Sequence, residues 1–178
     1  REEAADAVRE LKEAGITKVV MMTGDSERTA AAIAKRVGVD EYYSEVLPED
    51  KASFVEKEKE LGHKVIMIGD GINDSLALSS ASVGIAISDG AAIAREIADV
   101  TISADNLHEI VTLKRLSTAL MKRIHNNYRT IIGINGGLIA LGVTGIIMPT
   151  TSALLHNMST LTISLRSMRN YLPKEEEL

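Results

Sequence analysis

Cysteine is absent from this sequence, which excludes every disulfide framework, zinc-thiolate cluster and thiol nucleophile within the chain. Tryptophan is absent too, and Phe54 is the one phenylalanine beside four tyrosines. With 45% hydrophobic residues among 178, the core must therefore be aliphatic. No charged-then-apolar leader opens the chain: Arg1 to Ala14 already reads as an amphipathic helix. The expectation is a domain, or a piece of a longer polypeptide.

Negative charge is missing over a long stretch. The formal net charge is -5, yet residues 116 to 172 hold five basic side chains and no acid. Residues 1 to 115 hold 14 basic against 22 acidic groups, and the end of the chain adds Lys174 and three glutamates. Such a break marks two environments, the first an acidic domain to which no nucleic-acid partner is assigned. The divisions expected are a domain over 1-115, a connecting helix over 116-129, a pair of apolar helices over 130-172 and an acidic tail over 173-178.

What is present over residues 1 to 115 alternates. Val19 to Met22, Val65 to Ile68, Val83 to Ile87 and Val100 to Ile102 read as strands, and Glu27 to Val37, Glu49 to Leu61, Asp74 to Ser80 and Ala91 to Ile97 as helices. Repeated strand-helix units predict an α/β fold, a parallel sheet with helices on both faces. Ligand chemistry in such sheets gathers at the carboxyl ends of the strands, where Thr23-Gly24-Asp25 and Gly69-Asp70-Gly71 fall.

From Thr130 to Leu165 no Lys, Arg, Asp or Glu occurs, and Met148-Pro149-Thr150-Thr151 divides the run. A spanning helix needs about 20 mainly apolar residues, so a transmembrane helical hairpin in a lipid bilayer is expected. Lys122, Arg123, Arg129, Arg166 and Arg169 flank it, which places both ends in the cytoplasm. Gly133 and Gly137 have the spacing that lets helices approach closely in lipid. The alternative is a buried hairpin of a soluble protein.

A carboxylate at a strand end beside glycines suits Mg2+ held against phosphate, because Mg2+ takes oxygen ligands from one or two carboxylates plus phosphate and water. Asp70 fits a direct ligand, with Asn73 and Asp74 around it. Thr23 offers a hydroxyl and an N–H to a phosphoryl oxygen, and Lys51 in Pro48-Glu-Asp-Lys51 neutralises charge on a phosphoryl group in transfer. Taken singly, Gly-Asp-Gly is a common turn, Asp74 is a helix cap and Lys51 a solvated helix residue. A dinucleotide fingerprint fails at Asp74, where glycine is required. Met21, Met22 and Met67 read as core packing, and His63, His108 and His125 as surface or interface residues.

Together, TGD, PEDK and GDGINDSLAL followed by SVGIAI resemble the second half of the phosphorylation domain of P-type ATPases, within the haloacid-dehalogenase-like superfamily. The resemblance covers essentially the whole chain. It implies ATP as substrate, Mg2+ as cofactor on Asp70 and Asp74, and catalytic roles for Thr23, Gly24, Asp25, Lys51, Asn73 and Asp74. The family's phosphorylated aspartate, in DKTGT, is nowhere in this sequence. The chain alone is therefore expected to be inactive, with a nucleotide-binding domain, an actuator domain and further membrane helices upstream. Two spans after the domain resemble the heavy-metal branch. His156, Ser159 and Thr160 fall where that branch carries residues implicated in metal choice, and their chemistry resembles the pumps for divalent ions more than those for copper. The reading implied is the carboxyl-terminal portion of an exporter of a divalent metal cation in the cell membrane. A soluble phosphatase of the same superfamily and a membrane-anchored regulator without the nucleophile are the alternatives.

Overall fold

The computed structural model describes residues 2–69, 73–87, 96–102 and 107–170. They form two compact units, Arg1–Val111 and Thr112–Leu178. In the first unit, α1 (Glu2–Glu13), β1 (Val20–Met22), α2 (Glu27–Val37), β2 (Glu41–Tyr43), α3 (Pro48–Glu60), β3 (Ile66–Gly69), α4 (Ser75–Ser80), β4 (Val83–Ile87) and β5 (Val100–Ile102) follow in order. The expected helix over Ala91 to Ile97 lies mostly outside the described residues, as does the acidic tail.

All strand pairs are parallel, as the alternation predicts. The described strands nevertheless form two sheets rather than one, β1-β2 and β3-β4-β5. Between them lies a cavity of about 210 Å3, walled by Val20 and Met22 of β1 and by Ile66 and Ile68 of β3. Strand β2 was not expected, because Glu41-Tyr42-Tyr43 is three residues long, exposed and without apolar alternation.

Local sequence explains the elements. α2 is alanine-rich, has Glu27 in its first turn and Lys35 and Arg36 in its last, and stops at Gly38. Gly38 sits at φ 78°, where its N–H donates to Ala34 O. α3 starts on Pro48, whose fixed φ suits the first helical position, and Asp50 Oδ2 accepts the Leu47 N–H at 3.2 Å. The core is aliphatic and small: Ala30, Val55, Ala77, Leu78, Ile85, Ala86 and Val111 are almost wholly buried. Full burial of Leu78, Ile85 or Val55 contributes about 1.5–3 kcal/mol each. Among the described residues the scarce aromatics contribute one pair, Tyr43 with Phe54, at 5.3 Å between centroids.

α5 (His108–Val143) begins in the first unit and continues into the second, where α6 (Pro149–Ser167) returns. α5 ends where Gly145 adopts φ 73° and Ile146 N donates to Leu141 O at 3.0 Å. Three polar links join the pair. Arg123 donates to the carbonyls of Ser167, Arg169 and Asn170. Asn127 Nδ2 donates to Ser167 Oγ at 2.7 Å, and His156 meets Asn135.

The expectation of two membrane spans is not confirmed here: among the described residues no helix is long and apolar enough to cross a membrane. The reasons are local. Only residues 130–143 of the uncharged run belong to α5, and Ile146, Ile147 and Met148 fall beyond its end. α6 has 19 residues, but ten are Ser, Thr, Asn or His. The glycine expectation also changes, since a Cβ added at Gly133 or Gly137 meets nothing within 4 Å. Those glycines do not bring α5 close to α6.

Candidate functional site

PEDK is a device for aiming a lysine. Pro48 and Asp50 set the start of α3, Ser53 Oγ donates to Glu49 O at 2.9 Å, and Lys51 leaves the first turn toward the start of α4. Its Nζ donates to Asp74 Oδ1 at 2.7 Å. The pair is nearly enclosed, with side-chain exposures of 13% for Lys51 and 12% for Asp74. Asp74 occupies the residue before α4 but makes no side-chain cap bond there. Its carboxylate faces the lysine, and the cap reading is set aside.

Gly69 explains the close approach. A Cβ at that position would lie 2.7 Å from Asp74 Cβ and 2.8 Å from its Cγ. Any side chain there would push Asp74 away from Lys51, an overpacking that costs about 1–3 kcal/mol. Gly84, on the neighbouring strand β4, allows a comparable approach: a Cβ there would stand 2.6 Å from Leu78 O. Its N–H donates to Asp99 Oδ2 at 2.9 Å. Sequence reasoning missed Gly69, Gly84 and Asp99 as structural supports of the site; glycine inside a strand, a mark of close backbone approach, was the signal available.

Thr23 follows β1. Its N–H donates to Tyr43 O at 3.0 Å, prolonging the β1-β2 ladder, so the N–H expected to face a phosphoryl oxygen is already engaged. Its Oγ1 donates to Asp25 Oδ2 at 2.9 Å and accepts from Asp25 N at 3.1 Å. Thr23, Gly24 and Asp25 thus close a small polar turn, with Gly24 and Asp25 exposed. Glu45 N donates to Asp25 O, and Glu45 takes φ 54° to do so. Lys51 and Asp74 line the same cavity as Met22, the residue before Thr23.

Asp70 and Gly71 lie outside the described residues; Asn73 is described and exposed. No group of three or more His, Cys, Asp or Glu that could hold a metal occurs among the described residues. The donors present are hard oxygens, which suit Mg2+. Asp74 has one oxygen engaged by Lys51 and its carboxyl group packed on Gly69, which fits a place beside the ion better than one directly on it.

In the second unit, His156 Nδ1 lies 2.8 Å from Asn135 Oδ1. Ser159 Oγ and Thr160 Oγ1 donate instead to the backbone carbonyl of His156, at 2.8 and 3.1 Å. The three residues expected around a transported ion share one region of α6, but the imidazole turns to α5 and the hydroxyls to their own helix. Asn135 was missed, although an amide in an uncharged run is itself a signal. The other histidines have ordinary partners: His63 with Glu58 at 2.7 Å and His125 with Met121 O at 2.8 Å. Met21, Met22 and Met67 are half-buried.

Residues 1–82 match the family model of haloacid dehalogenase-like hydrolases. The curated relatives that the chain resembles over most of its length are heavy-metal P-type ATPases. It is 37% identical over 170 residues to a zinc-exporting P-type ATPase of Mycobacterium marinum, covering 95% of this chain and 23% of that one. A manganese-exporting P-type ATPase of Mycobacterium tuberculosis is 38% identical over 170 residues, covering 95% of this chain and 24% of that one. Other curated relatives carry the names of copper exporters. Among solved structures, a zinc-transporting PIB-type ATPase in its E2.Pi state matches with a TM-score of 0.86 and 32% identity, over 95% of this chain and 28% of the other. The chain therefore spans about a quarter of the length of the curated relatives it matches.

Proposed function

We propose that this chain is the carboxyl-terminal portion of an ATP-driven exporter of a divalent metal cation, which passes through an aspartyl phosphate. The observation that carries the reading is the enclosed Lys51–Asp74 pair at a cavity between β1 and β3, whose facing edges pair with no other strand among the described residues. One extended strand placed there would hydrogen-bond to both edges. If the upstream polypeptide supplies it with an acidic residue at its end, that carboxylate meets Lys51.

In this arrangement Lys51 offsets charge on the phosphoryl group, the Thr23 hydroxyl holds one of its oxygens, and Asp74 orients the lysine. Gly24 and Asp25 form the turn that presents Thr23. Asp70, with Asn73 and Asp74 around it, would hold Mg2+, which supplies charge stabilisation for phosphoryl transfer when bound. Residues 1-115 act as the second half of the phosphorylation domain, cytoplasmic in location. The helix over 116-129 passes its conformational change to 130-172, and 173-178 is a tail.

The α5-α6 pair is assigned to the cell membrane on two grounds. Its large apolar side chains, among them Ile132, Ile139, Leu154 and Leu161, are exposed. Its 36 residues from 130 to 165 carry no charge. The polar face of α6 then packs on helices of the longer polypeptide, and His156, Ser159 and Thr160 contribute to the choice of cation.

The test uses the complete polypeptide. Phosphoenzyme formation from ATP is measured for wild type, Asp70→Asn and His156→Ala across Zn2+, Cd2+, Co2+, Mn2+ and Cu+. Asp70→Asn should lose most Mg2+-dependent phosphoenzyme, and His156→Ala should alter the ion profile while leaving Mg2+ dependence intact. The 178-residue chain alone should form none. Normal phosphoenzyme in Asp70→Asn, or any on the isolated chain, refutes the catalytic assignment; an unchanged ion profile removes His156 from the cation site.

A further inference from the structure

Where the α5-α6 pair meets near Arg123, a cavity of about 360 Å3 opens between the two helices. Lys122 and Arg123 line it from α5, Arg166 and Arg169 from the end of α6, with Asn126, Asn127 and Asn170 between them. Only five basic side chains occur between residues 116 and 172, and four of them converge here; the fifth, Arg129, lies outside. No Asp or Glu occurs in the same stretch, so neither helix wall offers a carboxylate.

Helix ends attract cations, and this accounts for Arg123, whose guanidinium donates to three carbonyls at the end of α6. Those bonds, with Asn127 Nδ2 on Ser167 Oγ, fix the walls of the cavity without closing it. They leave the exposed Lys122, Arg166 and Arg169 as three further positive groups around one space. Like charges brought together around a polar cavity repel unless an anion sits among them. The volume is about that of a dozen waters at roughly 30 Å3 each, room for a phosphate group and some of its hydration. Arginine forks and asparagine amides are the donors that phosphate oxygens take.

We propose that this cavity binds the phosphate group of an anionic phosphoester, with Lys122, Arg166 and Arg169 as its charged contacts and Arg123 as the fixed wall. A phospholipid headgroup at the bilayer surface and free phosphate share that chemistry. The lipid source rests on the membrane assignment above; the phosphate source does not.

The experiment uses the full chain in a neutral detergent, with short-chain phosphatidylglycerol, short-chain phosphatidylcholine and inorganic phosphate as probes, followed by phosphorus NMR and calorimetry. Phosphatidylglycerol should bind and phosphatidylcholine should not. The triple variant Lys122→Gln/Arg166→Gln/Arg169→Gln should weaken binding on the order of a hundredfold, since each basic group at an anionic surface is worth roughly fivefold. Arg129→Gln should change it little. Far-UV circular dichroism checks that the triple variant folds, and if it does not, Arg169→Gln alone should cost roughly fivefold. Competition by inorganic phosphate assigns the site to phosphate itself; retained lipid binding without competition assigns it to the headgroup. Equal binding by wild type and variants, equal binding of phosphatidylcholine, or no binding of either anion overturns the proposal.

Discussion

Asp74 stands one residue before a helix, where a carboxylate ordinarily caps free N–H groups, yet its side chain caps nothing and meets Lys51 instead. With both groups nearly enclosed, removing one strands the other without its counter-charge. Lys51→Met should destabilise the first unit by about 3 kcal/mol, whereas Lys51→Met combined with Asp74→Leu should recover most of the loss. Denaturant unfolding of the four proteins of this cycle measures the coupling, and simple additivity would remove the pair's role. The acid Asp40 gives a different signature. Hydrogen bonding to Lys12, reinforced by the Val19 N–H, holds its carboxyl below the ordinary range. A depressed folded-state pKa contributes stability above the ordinary carboxylate range, which is lost as pH falls through the folded value. The melting temperatures of wild type and Asp40→Asn should therefore differ at neutral pH and converge in acid; a difference unchanged by pH would contradict this. The TGD turn and the helix start at PEDK were legible because turn and cap chemistry is written in adjacent residues. The Lys51–Asp74 partnership was not, since it joins positions 23 residues apart.

Elements with strong local signals appear nearly where the sequence puts them. α2 coincides with Glu27 to Val37, β4 with Val83 to Ile87 and β5 with Val100 to Ile102. β2 escaped because an exposed three-residue strand has no periodicity to read; its order comes from pairing with β1. The apolar hairpin differs in the extent of its helices. Counting uncharged residues over 130–165 ignored where the helix ends, and Gly145 ends it early enough to leave the last isoleucines outside α5. Arg123 holds the far end of the same pair through backbone carbonyls that no sequence pattern reveals. Arg123→Ala should free the last turn of α6, with local protection falling by about 2 kcal/mol for charged hydrogen bonds. Amide exchange over residues 163–168 reads that loss; unchanged rates there would mean that α6 is held by other contacts.

At the scale of the whole molecule, parallel α/β topology was legible from alternation, but the division of its strands into two sheets was not. Alternation reports which segments are strands and is silent on which neighbours each one finds. In the proposed pump, the absent DKTGT motif and the cavity between β1 and β3 have one explanation, a catalytic strand supplied from outside this chain. That cavity also bears on how the isolated chain behaves in a test tube. Two strand edges without a neighbouring strand among the described residues form a template for any extended apolar peptide, including one from a second copy of the chain. Expressed alone, the polypeptide is exposed to domain exchange and aggregation through the same opening that, in the proposed pump, admits the catalytic strand.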